Sequence, residues 1–107
     1  MAEHGTGIKI SDMKDDAVAA ASDGKRAFAI VKHAGKVMAL DGICTHKGGP
    51  LGKGSVKDDC LVCPWHGGMF NLGDGKASED TPWVTDIKAY RTRVDVNTGE
   101  IFIGDEL

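Results

Sequence analysis

Residues 44–70 read C-T-H-K-G-G-P-L-G-K-G-S-V-K-D-D-C-L-V-C-P-W-H-G-G-M-F, and the rest of the chain is best read outward from them. The stretch holds two ligand-type pairs, Cys44-Thr45-His46 and Cys63-Pro64-Trp65-His66, with sixteen residues between them. Two thiols and two imidazoles at C-x-H and C-x-x-H spacing suit a metal centre far better than an apolar core. Each pair is short enough for its two side chains to converge on one point. The surrounding Gly and Pro residues let both loops turn tightly. Everything else reads as scaffold for these two loops.

The pattern C-x-H-x16-C-x-x-H, filled out as C-T-H-K-G-G-P-L and C-P-W-H-G, resembles the signature of Rieske [2Fe–2S] proteins. The resemblance is tight over residues 44–70, about a quarter of the chain. It implies one [2Fe–2S] cluster, with Cys44 and Cys63 on one iron and His46 and His66 on the other. It also implies an all-β, Rieske-like fold of small antiparallel sheets. A cluster-binding subdomain of two loops, about residues 42–72, would be inserted in that scaffold, and residues 1–107 would form a single domain.

Two departures from one branch of the family carry information. The high-potential Rieske proteins of cytochrome bc complexes have an extra Cys in each loop, joined as a disulfide. The matching positions here are Gly49 and Trp65, so that bridge cannot form. That branch also places a Ser and a Tyr hydroxyl near the cluster, where this chain has Gly68 and Phe70. Neither can donate a side-chain hydrogen bond, and such bonds stabilise the added electron. The resemblance therefore implies a potential near the low end of the Rieske range, roughly −150 mV. Histidine ligands further imply a potential that falls with pH only on the alkaline side.

Other readings of the same residues compete. Cys44, His46, Cys63 and His66, or a set including Cys60, could make a tetrahedral zinc site. C-x-H is not a usual zinc-finger spacing, however, and the Gly-Gly-Pro and Pro-Trp details would then go unexplained. Cys60-Leu61-Val62-Cys63 is formally C-x-x-C, but Pro64 and the flanking strand patterns offer no thioredoxin-like context. Cys60 is expected to be a buried small hydrophobe. Gly52-Lys53-Gly54-Ser55 fails as a phosphate loop at Lys47 and at Gly54. Lys47, beside His46, reads as a solvated cation.

Composition bounds the function. A chain of 107 residues, 41% hydrophobic and 27% charged, supports one modest core. Six aromatic residues are few, so the core must lean on Ile, Val, Leu, Ala and Met. A net charge of −3 argues against nucleic acid as a partner. No apolar run reaches membrane-spanning length and the N-terminus lacks a signal-peptide core, so no membrane association and a cytoplasmic location are expected. The terminal Asp105-Glu106-Leu107 resembles a retention tail by chance only.

The apolar–polar pattern places a strand at 7–11 and a short helical turn or irregular connection at 15–22. A hairpin is expected at 26–32 and 36–41, turned at His33-Ala34-Gly35, with His33 a solvated turn residue. Short strands follow at 55–57 and 60–62 around Asp58-Asp59, and at 69–72 before a turn at 73–75. Residues 76–82 read as loop, and Pro82-Trp83 either covers one side of the cluster or packs on the sheet. A closing hairpin spans 87–95 and 100–104, with Ile87, Ala89 and Val94 inward and a slip in alternation between Tyr90 and Val94.

Rieske oxygenases carry a second iron site in a further domain, and only His4 and His33 remain here to supply one. The resemblance thus implies a one-electron carrier and not an enzyme in itself. Its expected partners are a flavoprotein NAD(P)H-dependent ferredoxin reductase and a terminal oxygenase, with the carrier itself a monomer. A small subunit of assimilatory NAD(P)H nitrite reductase and a structural zinc module are the alternatives.

Overall fold

Residues 27–31 (A-F-A-I-V) are apolar without interruption, the pattern of a strand buried on both faces. In the computed structural model, which describes residues 3–45 and 48–107, they form the middle of β3 (Ala27–His33). Phe28 and Ile30 face one core, with Met13, Ala39, Tyr90, Ile101 and Ile103. Ala29 and Val31 face a second core, with Leu40, Leu51, Leu61, Phe70, Leu72, Val84 and Ile87. Cys44 and Cys63 belong to that second core. The scaffold and the ligand loops thus share one strand as a floor.

The elements follow in the order β1 (His4–Lys9), β2 (Val18–Ser22), β3, β4 (Lys36–Asp41), β5 (Ser55–Lys57), β6 (Cys60–Val62), β7 (Met69–Asn71), β8 (Ala89–Val94) and β9 (Glu100–Glu106). Two 3-10 turns, Ile10–Asp12 and Leu51–Lys53, complete them among the described residues. A six-stranded antiparallel sheet runs β1-β9-β8-β4-β3-β2, and a three-stranded one runs β5-β6-β7. This is the all-β arrangement of small antiparallel sheets that the resemblance implied. Both tight hairpins use two residues at positive φ: Ala34 and Gly35 between β3 and β4, Asp58 and Asp59 between β5 and β6.

Three expectations need correction. Residues 18–22 are an edge strand paired with β3, not a helical turn. The alanines are there for packing: Ala17, Ala19 and Ala21 turn to one core, while Ala20 lies against the 3-10 turn Leu51–Lys53. A Cβ on Gly52 would come within 2.6 Å of the Ala20 Cβ, so the contact requires small residues on both sides. The first strand begins earlier than 7–11, at His4, and ends where Ile10 enters the 3-10 turn. The last hairpin starts at Ala89, with Ile87 buried in the preceding loop. The slip after Tyr90 is real: Tyr90 pairs with Glu106 but Thr92 with Ile103, a bulge in the β8–β9 ladder.

Candidate metal centre

The two ligand loops have the same main-chain closure. In the first, Cys44 N–H donates to Gly49 O at 2.8 Å, and an Ile43–Pro50 bridge clasps the ends. In the second, Cys63 N–H donates to Gly68 O at 2.8 Å, and Val62 pairs with Met69. The fifth residue of each, Gly48 and Gly67, has φ of +71° and +70°, which glycine adopts without strain. The sequence signal for this equivalence is the repeat C-x3-G-G at 44–49 and 63–68. Each loop presents its first residue inward, and in the second loop Trp65 and His66 are exposed.

The inward residues meet. Cys44 and Cys63 are each 2% exposed, and their thiols are hydrogen-bond partners. Burial pushes the Cys63 thiol pKa up; the Trp65 N–H, 3.4 Å from Cys63 Sγ, pulls it down, and Cys44 pushes it up again. Two thiols buried side by side have little reason to exist as thiols alone, and both become good ligands once a metal takes their protons. His66 is exposed, at φ +65°. Its exposed place within the Cys63 loop suits a second ligand type on the solvent side. The donor chemistry, buried sulfur inside and imidazole outside, fits a [2Fe–2S] cluster with mixed ligands. His46, the fourth predicted ligand, and Lys47 lie outside the described residues.

Both loops are close-fitted. A Cβ on Gly49 would lie 2.6 Å from Cys63 Sγ and 3.2 Å from the Trp65 Cβ, so the two loops touch where the other family branch has its disulfide. A Cβ on Gly68 would lie 2.6 Å from Val84 Cγ1. Phe70 is fully buried among these residues and presents carbon where a Tyr hydroxyl would otherwise stand. The segment 81–85 braces both loops. The Thr45 hydroxyl donates to Thr85 O at 3.0 Å and accepts from Thr85 N–H at 2.9 Å. Val84 packs against the second loop, and Thr81 Oγ1 accepts from Met69 N–H at 3.2 Å.

Sequence reading missed part of this. It had Pro82-Trp83 either covering the cluster or packing on the sheet, but Trp83 is 46% exposed and the buried residue is its neighbour Val84. Thr81, Val84 and Ile87 are buried between exposed neighbours, a three-residue period that was the available signal. Cys60 is half-buried rather than buried. His33 is not a free turn residue: its ring lies between Asp16 and Asp59.

The family model for the Rieske [2Fe–2S] domain matches residues 7–91. The chain is 26% identical to the anthranilate 1,2-dioxygenase ferredoxin subunit of Burkholderia cepacia, over 89% of this chain and 87% of that one. It is 42% identical to cholesterol 7-desaturase nvd 1 of Ciona intestinalis over 62% of its own length, but spans only 15% of that protein. Among solved structures, the Sphingomonas yanoikuyae B1 ferredoxin matches with a TM-score of 0.79 at 28% identity, covering 91% of this chain and 93% of that one. The complex of reduced oxygenase and oxidized ferredoxin in carbazole 1,9a-dioxygenase contains a chain of the same fold, with a TM-score of 0.84 at 23% identity, over 98% of this chain and 95% of that one. No helix among the described residues is long and apolar enough to cross a membrane. With the fold, the paired sulfurs and the family model in agreement, the chain belongs to the Rieske [2Fe–2S] domain family, with one Rieske-type cluster as its cofactor.

Proposed function

We propose that Cys44 and Cys63 hold one iron of the cluster and His46 and His66 the other, and that the chain carries single electrons from a flavoprotein NAD(P)H reductase to a terminal oxygenase. The observation that carries the ligand assignment is the pair of buried, mutually bonded thiols at the first position of two equivalent loops. Bound there, the cluster supplies a one-electron couple. The chain's own residues keep water from the sulfurs, through Phe70 and Val84, and leave His66 at the surface. Exposed Ile43, Trp65 and Trp83 around the loops offer apolar area to a docking partner. Residues 1–107 would act as one domain, with about 42–72 as the cluster-binding subdomain, working as a monomer in the cytoplasm.

Likeness at 26% identity to a dioxygenase ferredoxin subunit, along nearly the whole of both chains, supports the oxygenase reading. The test is electron paramagnetic resonance of dithionite-reduced, anaerobically purified protein, with iron and zinc content and the proteins that co-purify. Two irons per chain, an average g of roughly 1.9 as imidazole-ligated clusters give, and a lone monomer are expected. One zinc and no signal would replace electron transfer with a structural site. Co-purification with a sirohaem protein would replace the shuttle with a nitrite reductase subunit.

A further inference from the structure

His33 closes β3, and its ring is flanked by two carboxylates. Nδ1 lies 2.5 Å from Asp16 Oδ1, and Nε2 lies 2.7 Å from Asp59 Oδ1. Carboxylate oxygens only accept, so both contacts are hydrogen bonds only when both ring nitrogens carry protons. A neutral imidazole has one N–H and must turn a lone pair toward the other carboxylate. The geometry is therefore built for the imidazolium.

The two carboxylates belong to different sheets. Asp16 stands in the turn before β2, and its own N–H donates to Lys32 O, so the main chain holds it beside β3. Asp59 stands in the β5–β6 turn of the three-stranded sheet, and its carbonyl accepts from Leu72 N–H at 3.0 Å. The Asp59 side chain is 79% exposed, against 56% for Asp16. Asp15, which accepts from Gly35 N–H, and Asp58 add negative charge on the same two turns. Lys32 and Lys36 are the nearby cations on the β3–β4 hairpin. The negative charges dominate.

We propose that His33 is a proton-operated strut: as imidazolium it ties the β5–β6 turn to the six-stranded sheet, and as neutral imidazole it keeps Asp16 and releases Asp59. β6 runs from that turn to Cys63, so release loosens the sheet that carries the second ligand loop. The direction of the pH effect follows from the ring's environment. The hydrogen bonds to Asp16, then to Asp59, hold the His33 pKa above its ordinary value, while desolvation works against them. A raised folded-state pKa means the tie is complete below about pH 6.5 and is lost as pH rises through the raised value.

The strut is tested by amide hydrogen exchange of the full oxidised chain, from about pH 5.5 to about 9, with the His33 ring followed by NMR across the same range. Protection of the Leu72 amide, taken as a ratio to Ala39 in the six-stranded sheet, is expected to fall several-fold as the ring titrates. In Asp59→Asn the ratio should stay at its high-pH level throughout, and the ring midpoint should move down. Asn accepts the left-handed backbone of position 59, so the turn itself survives this change. Equal Leu72 protection in both proteins at every pH, or an unmoved midpoint, would overturn the proposal. His33→Gln should also flatten the profile, and a pH-dependent ratio persisting there would place the switch elsewhere. None of these readouts depends on which residues hold iron.

Discussion

Loop 44–49 and loop 63–68 share a main-chain closure, a leading Cys and a Gly-Gly ending, yet they are held by different physics. The first is latched by polar bonds from Thr45 to both main-chain groups of Thr85. The second is capped by an apolar contact from Val84 onto Gly68. One segment, 81–85, therefore braces both loops by two unlike means. The loops also differ in where imidazole stands, third in C-T-H and fourth in C-P-W-H. A repeated main-chain closure thus places the two sulfurs in equivalent positions, while the residues that follow each Cys differ in sequence. The comparison teaches that backbone equivalence secures the buried half of the centre only.

Its largest test removes a sulfur. On the proposed ligand set, Cys44→Ser and Cys63→Ser should each abolish the visible iron–sulfur absorbance, because each loop has one buried thiol to give. Loading in one of them alone would break the equivalence. Next, the pair Trp65→His with His66→Lys would copy the third and fourth residues of the first loop onto the second. Iron content per chain should fall about tenfold if the imidazole's place in the loop sequence matters; full incorporation would show the loops interchangeable.

The two close-fitting glycines sharpen the comparison further. Gly49→Ala drives a methyl toward Cys63 Sγ and should reduce cluster loading several-fold, measured as iron per chain. Gly68→Ala meets only the end of a valine side chain and should cost about 1–3 kcal/mol in chemical denaturation. Val84→Ala should return part of that loss in the double variant. Thr45→Val should cost about 1 kcal/mol, with Thr45→Ser near wild type. The smallest effect expected is on the potential, near −150 mV and flat in pH until the alkaline range. Protein-film voltammetry would show it, and a flat response to high pH would count against exposed imidazole ligands.

How much was legible depended on how local each feature is. The hairpins at 33–36 and 57–60 were readable because short runs of apolar residues met turn residues directly. The β2 strand was not. Its alanines carry a high helix propensity, and only pairing with β3 and the close approach of Gly52 explain them. Val84 was overlooked beside two more conspicuous residues, Pro82 and Trp83. His33 was read as solvated because its partners, Asp16 and Asp59, are far off in the chain and on opposite sides of it.

By itself the sequence determined the family, its cofactor and the all-β class. Each rests on side-chain type and spacing within a few residues, and a thiol or a glycine keeps its character wherever the chain takes it. The tertiary structure alone decided that the two sulfurs meet, that 81–85 braces both loops and that His33 bridges two sheets. Those are contacts between residues far apart in the chain, and no local pattern encodes a distance that folding must close.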